Sequence, residues 1–347
     1  METSNYVKSG KRLDYLDVAK GIAILTVILG HVGIIGDIGS IGLFYMRKID
    51  ILFYIFHMPI FFIISGYLFK PYDFKVFISK KIKGFVIPYY SCALIITLFN
   101  ALRGLIKSPQ NVGKVLKEDL VGFLLQRRYT TLWFLTALFF GLLIFWCTVK
   151  LCHDSKKNIA ISLLLSVAFI IYDELVSVPL PYNLDTAFII QVYLAFGYFT
   201  RKYGWIEKLI NDSKHKWIRI VAYSGIALLL TGINYKVTGG HSYEMFGSSY
   251  GIFPLTISAA ILASVAVILF SSSIHSKVLQ YLGKNSMIYF AFHARIGIIV
   301  GNDLVRKIGG LNSSILRILI IFVVAISICW LMDIVIRHSK LRFVAGR

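Results

Sequence analysis

A chain of 347 residues with 57% hydrophobic residues, 16% charged residues and a mean hydropathy of +0.73 is too apolar for a water-soluble domain of that size. Apolar runs of membrane-spanning length recur from near residue 18 to near residue 337 and leave no room for a separate soluble catalytic domain. The 37 Lys and Arg against 17 Asp and Glu give a net charge of +20; in a polytopic membrane protein that excess marks cytoplasmic loops and anionic headgroups, so nucleic acid is set aside as a partner.

In chain order, hydropathy predicts an all-α, polytopic membrane helix bundle of about ten spans, near 18–36, 51–69, 85–102, 131–149, 159–173, 186–200, 218–235, 251–270, 286–302 and 315–337. The first run follows a basic segment, as a signal peptide would. It is as long as a full span and lacks a small-residue cleavage site, so it reads as a retained helix. Gly30, Gly33, Gly36, Gly39 and Gly42 read as a pliant exit from that span; they neither follow a strand nor open a second helix, as a phosphate-cradling loop requires. The stretch from Arg103 to Thr130 carries six basic residues and reads as an extended outer loop or an amphipathic surface helix. Placing both termini in the cytoplasm puts basic residues on the inner side by roughly two to one, the bias expected of that orientation. Cys92, Cys147, Cys152 and Cys329 lie in or beside apolar runs with no metal-ligand spacing and read as small core residues; no metal is expected.

Ionisable side chains inside a span are costly, which makes them functional candidates. Three histidines qualify: His31, His57 and His293. Lys20 and His31 stand eleven residues apart, close to three helical turns, so they share one face about 16 Å apart along the axis. His31 lies roughly 20 Å from the start of its span near Val18, and His57 about 9 Å below the start of the descending second span at Ile51. Both rings therefore reach the outer half of the membrane, where imidazole can take and return a proton near neutral pH. A helix histidine is also a common interhelical hydrogen bonder, and for His57 alone that bland role stands beside the catalytic one. Ser65 lacks the context of an exposed nucleophile and reads as a packing residue. Asp14 and Asp17 suit the N-terminus of the first span, where they can orient Lys20 or Arg12. Asp185 opens the sixth span and could hold an acceptor hydroxyl or cap the helix. Trp133 belongs to the interface aromatics, and an aromatic face near an outer cavity suits a sugar ring. Asp333 could pair with Arg295 or Arg337.

The segment RLDYLDVAKGIAILTVILGH, in which Lys20 and His31 are separated by ten residues, resembles the opening signature of the membrane acyltransferase 3 family. FHMPIFFIISGYLF, LWFLTALFF, LDTAFIIQVYLAFGYF and LGKNSMIYFAFH resemble later blocks of that family in their usual order, most like its fucose 4-O-acetylase-like branch. The resemblance runs from about residue 12 to 293 and implies a single acyltransferase 3-like transmembrane domain over 1–347. Members pass an acyl group, usually acetyl from cytosolic acetyl-CoA, to a hydroxyl of a cell-surface glycan or its lipid-linked precursor. The family's essential basic residue and histidine correspond to Lys20 and His31. Lysine stands where arginine is more usual, which replaces a bidentate fork by a point charge.

The expectation is therefore a multi-pass O-acetyltransferase of a cell membrane, with a bacterial cytoplasmic membrane implied by the resemblance. Acetyl-CoA is the donor, and a glycan or lipid-linked glycan the acceptor. Lys20 and Arg12 are expected to meet the CoA phosphates. His31, assisted by His57, is expected to serve as general base or as transient acyl carrier, and the sequence leaves the two routes open. Asp185, Trp133, His293 and Arg295 are the expected substrate contacts, with His293 or Arg295 facing the developing oxyanion. Some relatives carry a fused extracytoplasmic hydrolase-like domain; here such a partner is expected to be a separate envelope-biosynthesis protein. The rival expectation is a glycan or lipid exporter or flippase in which the same helices line a transport path.

Overall fold

The computed structural model describes residues 13–152, 154–176, 178–240 and 244–346. The helices are α1 (Asp14–Ile35), α2 (Gly39–Tyr54), α3 (Pro59–Tyr67), α4 (Phe74–Lys81), α5 (Ile87–Lys107), α6 (Val112–Leu125), α7 (Trp133–Leu151), α8 (Ser155–Val176) and α9 (Leu184–Ile189). They continue as α10 (Gln191–Lys202), α11 (Trp205–Asn211), α12 (Ser213–Val237), α13 (Phe253–Ser271), α14 (Lys277–Lys284), α15 (Ser286–Phe292), α16 (Ile299–Ile308) and α17 (Ser314–His338). No strand occurs among the described residues, only an isolated bridge between Glu244 and Ser249.

Nine helical segments among the described residues are long and apolar enough to cross a membrane, one fewer than the sequence count. The difference is the stretch 186–200, which is broken into α9 and α10 at Ile190 and whose apolar run is diluted by Asp185, Gln191 and Arg201. Its two pieces still run between the same ends of the bundle as their neighbours. The second segment starts earlier than predicted: Gly39–Tyr67 is continuous enough to count as one crossing. Arg47 and Lys48, which hid that start from hydropathy, lie exposed on its surface, and the Lys48 ammonium sits 4.2 Å from the Phe44 ring centre. The stretch expected as an outer loop or surface helix contains α6, which packs against α5.

Three long helices are interrupted, two of them beside a proline. The chain loosens at Ile55–Met58 before Pro59, which opens α3 without needing an N–H donor. A π-helical turn at Ile82–Val86 precedes Pro88, and a second at His293–Ile298 joins α15 to α16.

The bundle has two distinct ends. At one, Tyr15 meets the Tyr67 hydroxyl (3.2 Å), Arg201 donates to the Tyr67 carbonyl (3.1 Å), and Arg337 pairs with Asp333 (2.9 Å). Lys20 is at this end. At the other, Arg306 pairs with Asp37 (2.8 Å) and Arg103 with Asp303 (3.0 Å). The start of α1 and the end of α17 share the Lys20 end, because α14 packs against both Asp17 and, through Tyr281, Asp333.

Helix α1 is the axis. Val18, Ala19, Ala23, Ile24, Val27 and Ile28 are all fully buried, which no lipid-facing helix achieves, whereas α12 is only 11% buried over its apolar window. Small residues allow the close crossings expected between membrane helices. A Cβ on Gly66 would overlap the Leu194 carbonyl of α10, and one on Gly283 would overlap the Asp17 carbonyl of α1. Gly33 serves the same purpose against α2: a Cβ there would stand 3.0 Å from Met46 Cβ.

Candidate active site

Away from Lys20, the interruptions in α2–α3 and α15–α16 face α1 and leave a cavity of about 300 Å³. His31 enters it from α1, Tyr54 and His57 from the end of α2 and the loosened turn, and Phe290, Ala294 and Arg295 from α15 and the π turn. Thr130, Thr131 and Trp133 close it from the lead-in to α7, and Glu244 to Phe246 from the loop before α13.

His31 donates through Nδ1 to the Val27 carbonyl one turn back (2.9 Å). A carbonyl can only accept, so the Nδ1 position holds the proton and Nε2 of the neutral ring keeps its lone pair. Behind it, the His293 ring meets the His31 ring edge to face, centroids 4.8 Å apart at 82°. His293 is likewise oriented by its own helix, Nδ1 to the carbonyls of Tyr289 (2.9 Å) and Phe290 (3.0 Å), and its Nε2 has no partner. It is fully buried and absent from the cavity lining, so it supports His31 from behind. His57 packs against Tyr54 with centroids 4.6 Å apart, and its Nδ1 has no hydrogen-bond partner.

Arg295 stacks its guanidinium 5.2 Å from the Tyr129 ring centre. Tyr129 in turn donates to Asp119 (2.7 Å), which also accepts from Asn100 (2.9 Å). Burial and the Asp119 hydrogen bond push the Tyr129 hydroxyl up to about 12, so it remains a donor at every physiological pH. The amphipathic helix α6 thus reaches the cavity through Asp119 and Tyr129.

The structure gathers His31, His57, Trp133 and Arg295 on one cavity, with His293 immediately behind. It sets two others apart. Lys20 pairs with Asp17 (2.8 Å) at the opposite end, three turns of α1 away, and is not among the lining residues. Asp185 is completely buried in an ion cluster: its carboxylate and that of Asp173 both accept from Arg128 Nη2, at 2.8 and 2.7 Å, and Asp185 also accepts the Thr186 N–H at 2.7 Å. Arg12 lies outside the described residues. Ser65 donates to the Phe61 carbonyl within its own helix (2.7 Å). No group of three or more His, Cys, Asp or Glu able to hold a metal occurs among the described residues.

Sequence reasoning missed Tyr54, Thr131, Glu244 and the Arg128 cluster. Asp50, Tyr54 and His57 stand at i, i+4 and i+7, a one-face spacing that was there to be read. Arg128 had no such signal, since as one of six basic residues in a polar stretch it looked solvated.

Residues 13–334 match the model of the acyltransferase 3 family, described as an acyltransferase domain. The chain belongs to the acyltransferase 3 family. No curated protein and no solved structure matches it. It is therefore a membrane acyltransferase, and the cavity around His31 is to be judged by what acyl transfer needs: a lone pair to take the acceptor's proton, donors for a developing oxyanion, and exclusion of water. The acyltransferase presents the first at His31 Nε2 and a fixed cation at Arg295, within aromatic walls.

Proposed function

We propose that the protein is an O-acetyltransferase that moves an acetyl group from cytosolic acetyl-CoA to a hydroxyl of a cell-surface polysaccharide or its lipid-linked precursor, in a bacterial cytoplasmic membrane with both termini inside. The observation that carries this reading is the cavity itself: His31 with an oriented Nε2, His57 and Arg295 on one aromatic-walled space, on the helix whose other end carries Lys20.

Lys20 and neighbouring basic groups at the cytoplasmic end hold the CoA phosphates, with Arg12 assigned to the same task. The pantetheine arm follows α1 towards His31. There Nε2 takes the proton of the acceptor hydroxyl as its oxygen attacks the thioester carbon; the C–O bond forms, the C–S bond breaks, and the thiolate leaves with the proton from the imidazolium. In the two-step variant, Nε2 attacks the thioester carbon, a C–N bond forms as the C–S bond breaks and the CoA thiolate leaves; the acceptor oxygen then attacks the acetyl carbon, the C–N bond breaks and frees Nε2, and the hydroxyl proton passes by way of His57 to the thiolate. His57 assists the proton transfer, and Arg295 faces the developing oxyanion. Trp133 supplies a face for the acceptor ring.

The test is thiol release from acetyl-CoA by the purified protein with polysaccharide from cells lacking the gene. Mass spectrometry of that polysaccharide, against polysaccharide from cells with the gene, identifies the acetylated sugar. Transfer abolished by His31→Ala supports the reading; undiminished transfer by that variant overturns it.

A further inference from the structure

One wall of the cavity is not helical and takes no part in the mechanism above. Glu244 and Ser249 exchange backbone hydrogen bonds (2.8 and 2.9 Å) and close the residues between them into a tight turn. The turn is pinned at its far side. Ser248, held at φ 55°, donates to Asp173 (3.0 Å) and accepts from Arg128, while the Tyr250 hydroxyl donates to Asp173 (3.0 Å). Just beyond, Asn234 at the end of α12 accepts the Ile252 N–H (2.7 Å). Such anchoring fixes a loop with the precision usually reserved for a helix.

What the anchored turn presents is Glu244. No hydrogen bond or ion pair reaches its carboxylate among the described residues, although it lines the cavity. Gly247 leaves it room: a Cβ there would stand 3.2 Å from Glu244 Oε2. Two further polar atoms on the same cavity are also without partners, His57 Nδ1 and Thr131 Oγ1, on residues only 1% and 8% exposed. Buried polar atoms are almost always satisfied, and each exception is costly. Two such exceptions beside the half-buried Glu244 carboxylate, on a cavity also lined by Tyr54, Trp133, Phe246 and Phe290, suit a ligand with several hydroxyls and an apolar face.

We propose that Glu244 is an acceptor-binding residue whose carboxylate accepts a hydrogen bond from a hydroxyl of a polyhydroxylated ring, next to the hydroxyl presented to His31. The inference rests on the acyl-transfer reading of the cavity and assigns to the turn the choice of which hydroxyl reacts. An ionised carboxylate accepts only, so the site favours hydroxyl donors and disfavours rings bearing carboxylate or phosphate at that position.

The experiment uses the full chain in nanodiscs, acetyl-CoA, and polysaccharide from cells lacking the gene. Glu244→Gln raises the acceptor KM about ten- to hundred-fold, the loss expected for one hydrogen bond to a charged group, and leaves the acetyl-CoA KM within about twofold. Glu244→Asp recovers part of the loss, and Ser248→Ala moves the acceptor KM in the same direction by less. An unchanged acceptor KM in Glu244→Gln, or an equal rise for both substrates, overturns the proposal. Binding is read separately from chemistry with His31→Ala protein: the same polysaccharide raises its unfolding midpoint, and Glu244→Gln in that background removes the rise. Loss of transfer in the wild type would overturn the acyl-transfer reading, while this binding arm would still decide the role of Glu244.

Discussion

Removing Arg128 should cost more than removing either of the carboxylates it holds. Its Nη2 lies 2.7 Å from Asp173 and 2.8 Å from Asp185, and the three side chains are 6%, 2% and 0% exposed. Arg128 is the cation that both carboxylates face. Asp185→Asn keeps the Asp173 pair but turns an amide NH2 towards donors that one carboxylate oxygen now accepts, Arg128 and the Leu180 N–H on one oxygen or the Thr186 N–H and hydroxyl on the other, a cost of about 1–3 kcal/mol. Arg128→Met leaves two carboxylates buried side by side with no cation, a defect worth roughly 3–5 kcal/mol. At roughly 2 °C per kcal/mol for a chain of this size, the unfolding midpoint should fall by about 6–10 °C in Arg128→Met and by about 2–6 °C in Asp185→Asn. Thermal unfolding in one detergent at pH 7, followed by tryptophan fluorescence, reads both. Equal midpoints for the two variants, or a smaller loss in Arg128→Met, would refute the account of the cluster as a cation-limited latch.

At the centre of the site, His31→Ala should slow acetyl transfer by about 10²–10⁴-fold with little change in the acetyl-CoA KM, measured by thiol release. Lys20→Ala should show the reverse pattern, a raised acetyl-CoA KM with kcat nearly kept; exchanged phenotypes would overturn the division of labour between the two ends of α1. Cysteines placed at 31 and at 57 should both be labelled from the same side by an impermeant thiol reagent, because both positions line one cavity, with position 57 the slower since His57 is only 1% exposed. Gly283→Ala, which forces a Cβ into the Asp17 carbonyl, should cost about 1–3 kcal/mol of stability, while Gly225→Ala, with nothing near its added methyl, should be neutral or slightly stabilising. Burial holds the Glu244 carboxyl above its ordinary value, facing Asp50, Tyr54, His31, His57 and Arg295 around the cavity. A raised carboxyl favours the folded state most below its unfolded pKa, and that contribution is lost as pH rises through the folded value; acceptor affinity should rise over the same range, and Glu244→Gln should flatten both profiles.

Much of the bundle was legible because membrane helices advertise themselves by length and hydropathy. What hydropathy cannot see is where an apolar stretch breaks. The 186–200 stretch reads as one span, yet it breaks at Ile190, where no proline or glycine marks the place. Gly39–Tyr54 was hidden by Arg47 and Lys48, whose long stems let the charges leave an otherwise apolar helix. The histidines stood out because imidazole inside a span is rare, and helix periodicity tied His31 to Lys20. The meeting of His31 with His293 could not be derived, since 262 positions of chain separate them and only packing decides which helices touch α1. Asp185 was singled out for its place at the mouth of a span, but its partner, Arg128, comes from a loop that composition alone assigns to solvent.

The π turn at His293–Ile298 carries one residue more than an ordinary helix would need. That surplus uncouples the two halves of the segment. Upstream, Tyr289 and Phe292 are wholly buried in the core; downstream, Gly297 and Gly301 sit directly against Ala325 and Ile321 of α17. Deleting a single position within the turn would restore regular winding, but only by rotating one half about 100° relative to the other. Either Arg295 would swing away from Tyr129 or the glycine seam would lose its match. An apparently trivial length change in this helix is thus a sharper probe of the site than most side-chain replacements.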